Sequence, residues 1–195
     1  MTVFCLVRHG AYPLIGRALG GREAHSLDEE GHAQAARVAA ALEGRGVVAV
    51  VSSPVQRARE TAAPIGARLG LPVAVAPEFA EIDFGRWTGA TFASLHGAPG
   101  WRAWNAFRST APVPGGETML AAQARAVAGV ARLALAWPEG EVVVVSHADI
   151  IKAVLAHVLG MPLDLLRRME VGPGSVSRIA LHEEDARVLG MNQPP

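Results

Sequence analysis

The segment that decides the fold lies at the N-terminus, where five consecutive apolar residues run into two basic residues and a glycine. It reads Val3-Phe4-Cys5-Leu6-Val7-Arg8-His9-Gly10. A short uninterrupted apolar run is typical of a strand that is buried on both faces of a sheet. Arg8 and His9 contribute nothing to the burial of such a strand. Polar side chains at the end of a buried strand need hydrogen-bonding partners, because burying them without partners costs free energy. Because ligands of open α/β sheets bind beyond the carboxyl ends of the strands, we predict that His9 is a nucleophile and Arg8 an anion-binding residue.

The composition describes a protein of ordinary size with a large apolar fraction and no net charge. The 195 residues are 50% hydrophobic and 18% charged, and 18 basic residues balance 18 acidic ones. This length suits one domain, and we predict a single domain over residues 1–195. A net charge of zero gives no long-range attraction to nucleic acid or to an anionic membrane, so we expect neither as a partner.

Cysteine usage and the N-terminal residues predict a cytoplasmic location. Cys5 is the only cysteine, which excludes disulfides within the chain and fits a reducing compartment. The first apolar run stops at Arg8 and has no basic segment before it, unlike a signal peptide. The helix-like apolar stretch over 120–135 is interrupted by Arg125 and Arg132, which argues against a membrane span. The sequence leaves open whether the protein is a monomer or a homodimer.

Apolar strands alternate with helical segments along the chain. Strands are predicted over 3–7, 47–51, 72–75, 142–145 and 175–181, with a further candidate over 188–191. Helices are predicted from about 29 to 42 with Ser26 or Asp28 as the cap, from 57 to 69, from Glu117 or Thr118 to 135, and from 150 to 159. This alternation predicts an α/β fold, a three-layer sandwich with a mostly parallel central sheet flanked by helices.

A small helical cap is predicted as an insertion around residues 90–114. Three of the four tryptophans, Trp87, Trp101 and Trp104, lie in or just before this region. Tryptophans in a small cap most often form its core. The alternative is that they line a pocket for an apolar leaving group.

Three of the predicted buried strands each place a basic or ionisable side chain just past their carboxyl ends. The first strand leads to Arg8 and His9, the second to Arg57 on the following helix, and the fourth to His147. A parallel sheet brings these positions to one edge. Two arginines and two histidines suit a phosphoryl group, because arginine binds phosphate oxygens through two parallel hydrogen bonds and phosphoryl transfer depends mainly on positioning and charge neutralisation.

A histidine nucleophile also needs a proton donor for the leaving alkoxide, and two carboxyl groups are candidates. Glu81 and Asp83 lie in a segment that also contains Phe79, Phe84 and Trp87. An apolar setting keeps a carboxyl protonated near neutral pH. The chemistry favours Glu81 only slightly, because its side chain is longer.

These residues belong to an ordered set of motifs that extends over nearly the whole chain, and with them the sequence resembles the histidine phosphatase superfamily, which includes the cofactor-dependent phosphoglycerate mutases. The motifs are Leu6 to Gly10, Leu27 to Gly31 with Gln34-Ala35, Ser52-Ser53-Pro54 with Arg57-Ala58 and Glu60-Thr61-Ala62, Glu81 to Gly85 with Trp87 and Gly89, Pro114 to Glu117, and Val145-Ser146-His147.

The resemblance implies a role for each residue of the predicted site. His9 is the residue that becomes phosphorylated on a ring nitrogen. Arg8, Arg57 and His147 hold the phosphoryl oxygens, and Glu81, rather than Asp83, donates the proton and then activates water. The family needs neither a metal nor another cofactor, so none is expected here.

The chain departs from the family pattern after the first motif. Many members have an acid or amide, then a hydroxyl residue, then an asparagine three positions later, where this chain has Ala11, Tyr12 and Ile15. Donors near the phosphate are therefore missing, and Arg17 or Arg22 could replace them. We include Arg22 among the substrate-binding candidates, with a solvated loop residue as the alternative.

A second departure follows the second histidine, where many relatives have glycines and this chain has Ala148 and Asp149. The backbone N–H of Ala148 can still donate, and we expect it to bind the substrate. Asp149 is interpreted as a cap of the following helix.

The phosphatase branch matches better than the mutases, which usually carry Glu-Arg-His-Tyr-Gly where this chain has Glu81 to Gly85 as Glu-Ile-Asp-Phe-Gly. We therefore predict a phosphomonoesterase acting on small phosphorylated metabolites. The alternatives are a mutase-type phosphotransferase, an α-ribazole phosphatase in particular, and a member that binds a phosphorylated ligand without turnover. A metallophosphoesterase is a further rival, because His147-Ala148-Asp149 has the alternation of a metal-binding motif.

Overall fold

A computed structural model describes residues 1–195 as one six-stranded sheet with helices on both faces. The strands are β1 (Thr2–Arg8), β2 (Val47–Ser52), β3 (Val73–Val75), β4 (Gly140–Ser146), β5 (Val176–Leu181) and β6 (Ala186–Gln193). Their order across the sheet is β3-β2-β4-β1-β5-β6. The first four strands of that order are parallel, and β5 and β6 are antiparallel to their neighbours. The predicted α/β sandwich with a mostly parallel sheet is confirmed.

Two apolar cores, one on each face of the sheet, follow from the alternation of side chains along the strands. The helices are α1 (Glu29–Ala41), α2 (Gln56–Leu69), α3 (Phe92–Leu95), α4 (Trp101–Ala106), α5 (Met119–Ala136) and α6 (Ala148–Val158). In β1, Phe4 and Leu6 point into the larger core with α5, α6 and the cap, whereas Cys5 and Val7 join the smaller core with α1 and α2. Burial on both faces explains why β1 is apolar throughout.

The helix boundaries follow local capping chemistry. Asp28 caps α1, since its Oδ1 accepts a hydrogen bond from the Gly31 N–H at 2.8 Å. Thr118 caps α5 by accepting from the Ala121 N–H at 3.1 Å. Of the paired alternatives in the sequence, Asp28 and Thr118 are therefore the caps.

Helix α5 is the one helix of the chain that is long and apolar enough to cross a membrane by length and composition alone. It packs against α6, and Met119, Ala126 and Leu133 on one face are buried in the larger core. Its arginines at 125 and 132 form ion pairs with Glu117 and Glu78. These contacts are those of an amphipathic core helix.

The cap consists of the short helices α3 and α4 with their flanking turns. Trp104 is completely buried, and its ring centroid lies 6.3 Å from that of the buried Trp87. Trp101 is only partly buried and lines a surface cavity with Phe92. Two of the three tryptophans thus form core, and the third remains available to a ligand.

Close packing of α1 against the loop after β1 gives a prediction about stability. A Cβ on Gly31 would collide with the backbone carbonyl of Ala11. We expect Gly31→Ala to destabilise the protein by about 1–3 kcal/mol, because two backbone segments would have to separate. Alanine would otherwise favour a helix. Urea denaturation measures the effect.

The matched control is Gly97→Ala, because a Cβ at Gly97 would meet no atom within 4 Å beyond its own chain neighbours. We expect it to change the free energy of unfolding by under about 0.5 kcal/mol. Equal midpoints for the Gly31→Ala variant and the unsubstituted protein would contradict the packing argument.

Candidate active site

The candidate site lies where three neighbouring parallel strands end. In the register of the sheet, Arg8 of β1 is opposite Ser146 of β4, and Ser52 of β2 is opposite Val145. The next residues continue the ladder, as the His9 N–H donates to the Ser146 carbonyl at 3.0 Å. The sheet thereby brings residues more than 90 positions apart in sequence to a single edge.

His9 is held in one tautomer. It is 2% exposed, and its Nδ1–H donates to the Gly10 carbonyl at 2.8 Å. The Nε2 lone pair accordingly faces Arg57, whose Nε–H donates to it at 3.2 Å. Burial and the neighbouring charges of Arg57 and Arg8 lower the pKa of His9 well below its ordinary value. The imidazole is therefore neutral and nucleophilic at Nε2 at physiological pH.

Arg57 lies in the first turn of α2 and is 1% exposed. Its Nη2 donates to the Gly21 carbonyl at 2.7 Å and to the His147 Nδ1 at 3.2 Å. The guanidinium also stacks on the Tyr12 ring, 4.9 Å from its centroid. Arg57 thus joins both histidines to the glycine-rich loop between β1 and α1.

His147 follows β4 and is completely buried. Its Nε2 is bonded to the Ser53 Oγ at 2.8 Å. Burial and the charge of Arg57 lower the pKa of His147 well below its ordinary value. Its ring centroid is 5.1 Å from that of His9. The two predicted histidines are therefore direct neighbours.

Glu81 completes this group of residues, which we call the histidine cluster (His9, Arg57, His147 and Glu81). Its Oε2 lies 3.8 Å from the His147 Nδ1, and its side chain is largely buried. Burial, reinforced by the negative charge of Asp149, raises the pKa of Glu81 to about 7. A carboxyl in this state gives and takes a proton near neutral pH.

Asp83, the other candidate acid, has a different environment. Its side chain is about half exposed, and its Oδ1 accepts from the Gly85 N–H at 2.9 Å. It stabilises its own turn, whereas Glu81 contacts the histidine cluster. The environments therefore favour Glu81 as the acid.

The backbone of Glu81 is clamped by two arginines. The Arg22 Nε–H donates to the Glu81 carbonyl at 2.8 Å, and Arg125 Nη2 donates to the same oxygen at 3.3 Å. The Glu117 carboxylate accepts from both arginines, at 3.1 Å from Arg22 and at 2.7 and 2.8 Å from Arg125. This clamp fixes the position of the acid, and the sequence alone assigns Arg125 and Glu117 no part in the site.

Arg22 therefore has a contact different from the predicted one. Its guanidinium bonds the Glu81 segment, and its side chain is 43% exposed. Contact with substrate stays a prediction for this residue. Arg17 is exposed, and its carbonyl accepts from the Phe92 N–H at 3.0 Å, on the cap side of the loop.

Arg8 extends from the end of β1 toward the loop that precedes β5. Its Nη1 donates to the Val171 carbonyl at 2.7 Å, and its Nε is buried without a protein partner. Its charge contributes to the lowered pKa of both histidines. Arg8 is thus near the histidine cluster and has a donor free for an anion.

The interpretation of Asp149 as a helix cap is wrong. The N-cap of α6 is His147, with no side-chain capping bond, and Asp149 lies in the first turn. Its Oδ2 pairs with Arg108 Nη1 of the cap region at 2.8 Å. Ala148 is the first residue of α6, where backbone N–H groups have no intrahelical acceptor, so its N–H is available to an anion.

Ser53 and Tyr12 are the site residues that sequence reasoning missed. Ser53 bonds His147, and the Tyr12 ring lies 5.5 Å from that of His9, edge to face. Ser53 directly follows β2, so the rule that found the histidines at strand ends would also have found it. Tyr12 stands where the family pattern has a hydroxyl donor, and it instead supplies a stacking surface for Arg57.

The side chains of His147 and Asp149 do not point to one place. His147 bonds Ser53 and Arg57, whereas Asp149 pairs with Arg108. No three His, Cys, Asp or Glu side chains of the chain are grouped in a way that could hold a metal ion. The alternation in the sequence is therefore not a cluster of ligands in the fold.

This arrangement of two neutral histidines, two arginines and a protonatable carboxyl on one sheet edge belongs to a known class. Residues 4–194 match the family described as the histidine phosphatase superfamily (branch 1). The chain belongs to this family, as the resemblance of its motifs predicted.

Individual relatives have related folds and sequences. The chain is 35% identical over 194 residues to a bifunctional protein of Mycobacterium tuberculosis; the match covers 95% of this chain, which spans about half (52%) of the length of that relative. It is 35% identical over 169 residues to a glucosyl-3-phosphoglycerate phosphatase of the same organism, covering 81% of this chain and 75% of the relative. A solved structure of the mycobacterial glucosyl-3-phosphoglycerate phosphatase superposes with a TM-score of 0.89 at 31% identity, covering 98% of each chain.

Proposed function

We propose that this protein is a phosphomonoesterase that hydrolyses small phosphorylated metabolites through a phosphohistidine on His9. The observation that carries the proposal is the tautomer of His9. Its Nδ1–H is bonded to the Gly10 carbonyl, which leaves a neutral Nε2 directed at the arginine and the second histidine. A nucleophilic histidine needs a neutral nitrogen with a free lone pair close to the cations that bind the phosphate. A histidine with a purely structural role does not.

In the first step, His9 Nε2 attacks phosphorus, and the bond from phosphorus to the leaving oxygen breaks. Glu81 transfers its proton to that oxygen, so the product leaves as an alcohol. Arg8 and Arg57 neutralise the charge of the transferred group, and the Ala148 N–H donates to its oxygens. When the phosphate replaces the bond from Arg57 to the Nδ1 of His147, the ring takes its other tautomer, in which Nδ1–H donates to a phosphoryl oxygen and the Ser53 hydroxyl donates to Nε2. A bound phosphate would replace the bond between Arg57 and His9, which frees the nucleophile.

In the second step, water replaces the nitrogen. The Glu81 carboxylate removes a proton from water, the oxygen attacks phosphorus, and the bond between phosphorus and Nε2 breaks. The electron pair returns to His9 and the proton stays on Glu81, which restores the starting state with inorganic phosphate as product. The pKa of Glu81 near 7 suits both directions of proton transfer.

The relatives of the chain favour hydrolysis over the transfer of phosphate from one substrate to another. The similar mycobacterial protein is named a phosphatase, and the superposition on a solved mycobacterial phosphatase of that name extends over nearly the whole of both chains. We infer a single catalytic domain over 1–195 that needs no metal. We also infer a cytoplasmic location.

Turnover of p-nitrophenyl phosphate tests the proposal. We expect hydrolysis that persists in excess EDTA and does not require a bisphosphoglycerate primer. Activity that EDTA removes and a divalent metal restores would support a metallophosphoesterase instead. Transfer of phosphate only after priming would support a mutase, and binding of phosphate without turnover would support a catalytically inactive member.

The raised pKa of Glu81 predicts an alkaline limb in the pH profile. The first step needs the protonated carboxyl, so kcat for an alkyl phosphate should fall as the pH rises through about 7. Glu81→Gln should remove this limb and lower kcat for alkyl phosphates by about 10²-fold or more, because general acid catalysis contributes that much. Nitrophenolate is a leaving group that needs little protonation, so Glu81→Gln should lower kcat for p-nitrophenyl phosphate less than kcat for alkyl phosphates.

Asp83→Asn is the matched control for this carboxyl, since Asp83 lies in the same segment but bonds its own turn. We expect its alkaline limb and leaving-group dependence to match those of the unsubstituted enzyme. If Asp83→Asn removes the limb and Glu81→Gln keeps it, the proton donor is Asp83.

A further inference from the structure

A second cavity, which shares Arg8 with the candidate phosphate site, carries positive charge. Its volume is about 400 Å³, which is large enough for a small metabolite. We call it the basic cavity. It is lined by the charged residues Arg8, Arg108, Lys152, Arg167 and Glu170, together with three uncharged residues. Arg8 belongs both to this wall and to the candidate phosphate site, so the two sites are contiguous.

The charges around the basic cavity do not cancel. Four cations face two acids, Glu170 on the wall and Asp149, which is paired with Arg108 at 2.8 Å. The buried Nε atoms of Arg8 and Arg108 have no hydrogen-bond partner in the protein. Buried donors are normally satisfied, so these two Nε–H groups are available to an anionic acceptor from outside the chain.

The position of Asp149 relates the cavity to the leaving group. Asp149 is close enough to Glu81 for its charge to contribute to the raised pKa of that acid. Asp149 pairs with Arg108, which lines the basic cavity. Because Glu81 gives its proton to the leaving oxygen, this link favours a position of the cavity on the leaving-group side of the phosphate. Arg167 also lines the neighbouring cavity under Trp101 in the cap, so the space continues away from the phosphate.

We propose that the basic cavity binds a second anionic group of the substrate, a carboxylate or a second phosphate attached to the leaving group. This proposal rests on the phosphomonoesterase function given above and narrows it to doubly anionic phosphomonoesters. Arg108, Lys152 and Arg167 hold the second anion, while Arg8 contacts the group that is transferred.

Pairs of substrates that differ only in the second anion test the proposal. 3-Phosphoglycerate and glycerol 3-phosphate differ by a carboxylate in place of a hydroxymethyl group, and fructose 1,6-bisphosphate and fructose 6-phosphate differ by a phosphate. We expect kcat/KM to favour the anionic member of at least one pair by about tenfold or more, as charge-assisted hydrogen bonds do. The pair with the larger ratio identifies the second anion as carboxylate or phosphate.

The Lys152→Gln/Arg167→Gln double variant should reduce this ratio by about tenfold. The charge-matched control is the Arg68→Gln/Arg187→Gln double variant, in which two exposed arginines paired with Glu43 and Asp185 are neutralised outside the basic cavity. Arg68 pairs with Glu43 at the far end of α2, about 16 Å along the helix from Arg57, so the ratio should not change. Equal kcat/KM within both pairs, or an unchanged ratio in the double variant, would overturn the proposal.

Calorimetry on the His9→Ala protein separates binding from turnover. This variant should bind 3-phosphoglycerate or fructose 1,6-bisphosphate at least about tenfold more tightly than its partner substrate. Equal affinities within both pairs would refute the basic cavity as a subsite. Absence of any hydrolysis by the unsubstituted protein, p-nitrophenyl phosphate included, would instead refute the phosphomonoesterase function.

Discussion

Replacement of His9 by alanine is expected to lower turnover of phosphomonoesters by at least about 10⁴-fold, because it removes the atom that forms the covalent intermediate. The variant should still fold, since His9 contributes only one hydrogen bond to its own segment, at the Gly10 carbonyl. Binding of inorganic phosphate should persist, because Arg8, Arg57 and His147 remain. Single-turnover kinetics and calorimetry measure the two effects.

The covalent intermediate has its own chemical signature. Phosphate trapped on the unsubstituted protein by acid-free denaturation should be released by acid and retained in base, as the phosphorus–nitrogen bond of a phosphoramidate requires. No label should be trapped on His9→Ala. His157→Ala provides the control, since His157 is exposed at the end of α6 and should label normally. Label that survives acid would indicate a serine or threonine ester and contradict the role of His9.

The sequence predicted the strand ends correctly because the signal there is local. Each central strand is an uninterrupted apolar run, and the residue after it must leave the core at the same edge of the sheet. His9 and His147 follow from that rule alone. Arg57 required one more step, from the strand to the first turn of the next helix.

Contacts formed between distant segments could not be predicted in this way. Arg108 and Asp149 are separated by 41 positions, and their pairing depends on how the cap docks onto α6. The clamp on the Glu81 carbonyl likewise joins Arg22 and Arg125 from separate parts of the chain. Neither the ion pair nor the clamp produces a periodicity or a fixed spacing in the sequence, so only the fold brings these residues together.

The choice between two acids shows the same limit. In sequence, Glu81 and Asp83 share one apolar neighbourhood. In the fold, Glu81 is largely buried beside His147, whereas Asp83 bonds the Gly85 N–H at a half-exposed turn. Residues two positions apart on an extended segment share a face, so alternation cannot separate the two acids. The bond from the Gly85 N–H holds Asp83 in its own turn, and the family resemblance, not the composition of the segment, identified Glu81.

Replacement of Arg57 by alanine is expected to lower kcat by about 10²- to 10³-fold, the usual cost of losing one group that stabilises transition-state charge. Arg57 also holds the Gly21 carbonyl and contacts both histidines, so its loss removes order as well as charge. Arg57→Lys keeps the charge but not the forked geometry, and it should recover only part of the activity.

The pH profile distinguishes the charge of Arg57 from its structural bonds. Burial and then the positive charge of Arg57 lower the pKa of His9 and His147. Removing that charge should raise both pKa values, so a larger fraction of each histidine is protonated at low pH. The acidic limb of kcat/KM should therefore move to higher pH in Arg57→Ala and stay nearer its original position in Arg57→Lys.

Arg59→Ala is the control for this experiment, because Arg59 is exposed on the same helix two residues further along. It should leave kcat and the acidic limb unchanged. A change in kcat of less than threefold in Arg57→Ala would remove Arg57 from the site. A large loss of kcat with an unmoved acidic limb would mean that Arg57 acts by holding the Gly21 loop, since the electrostatic role requires the histidines to titrate at higher pH once the guanidinium is gone.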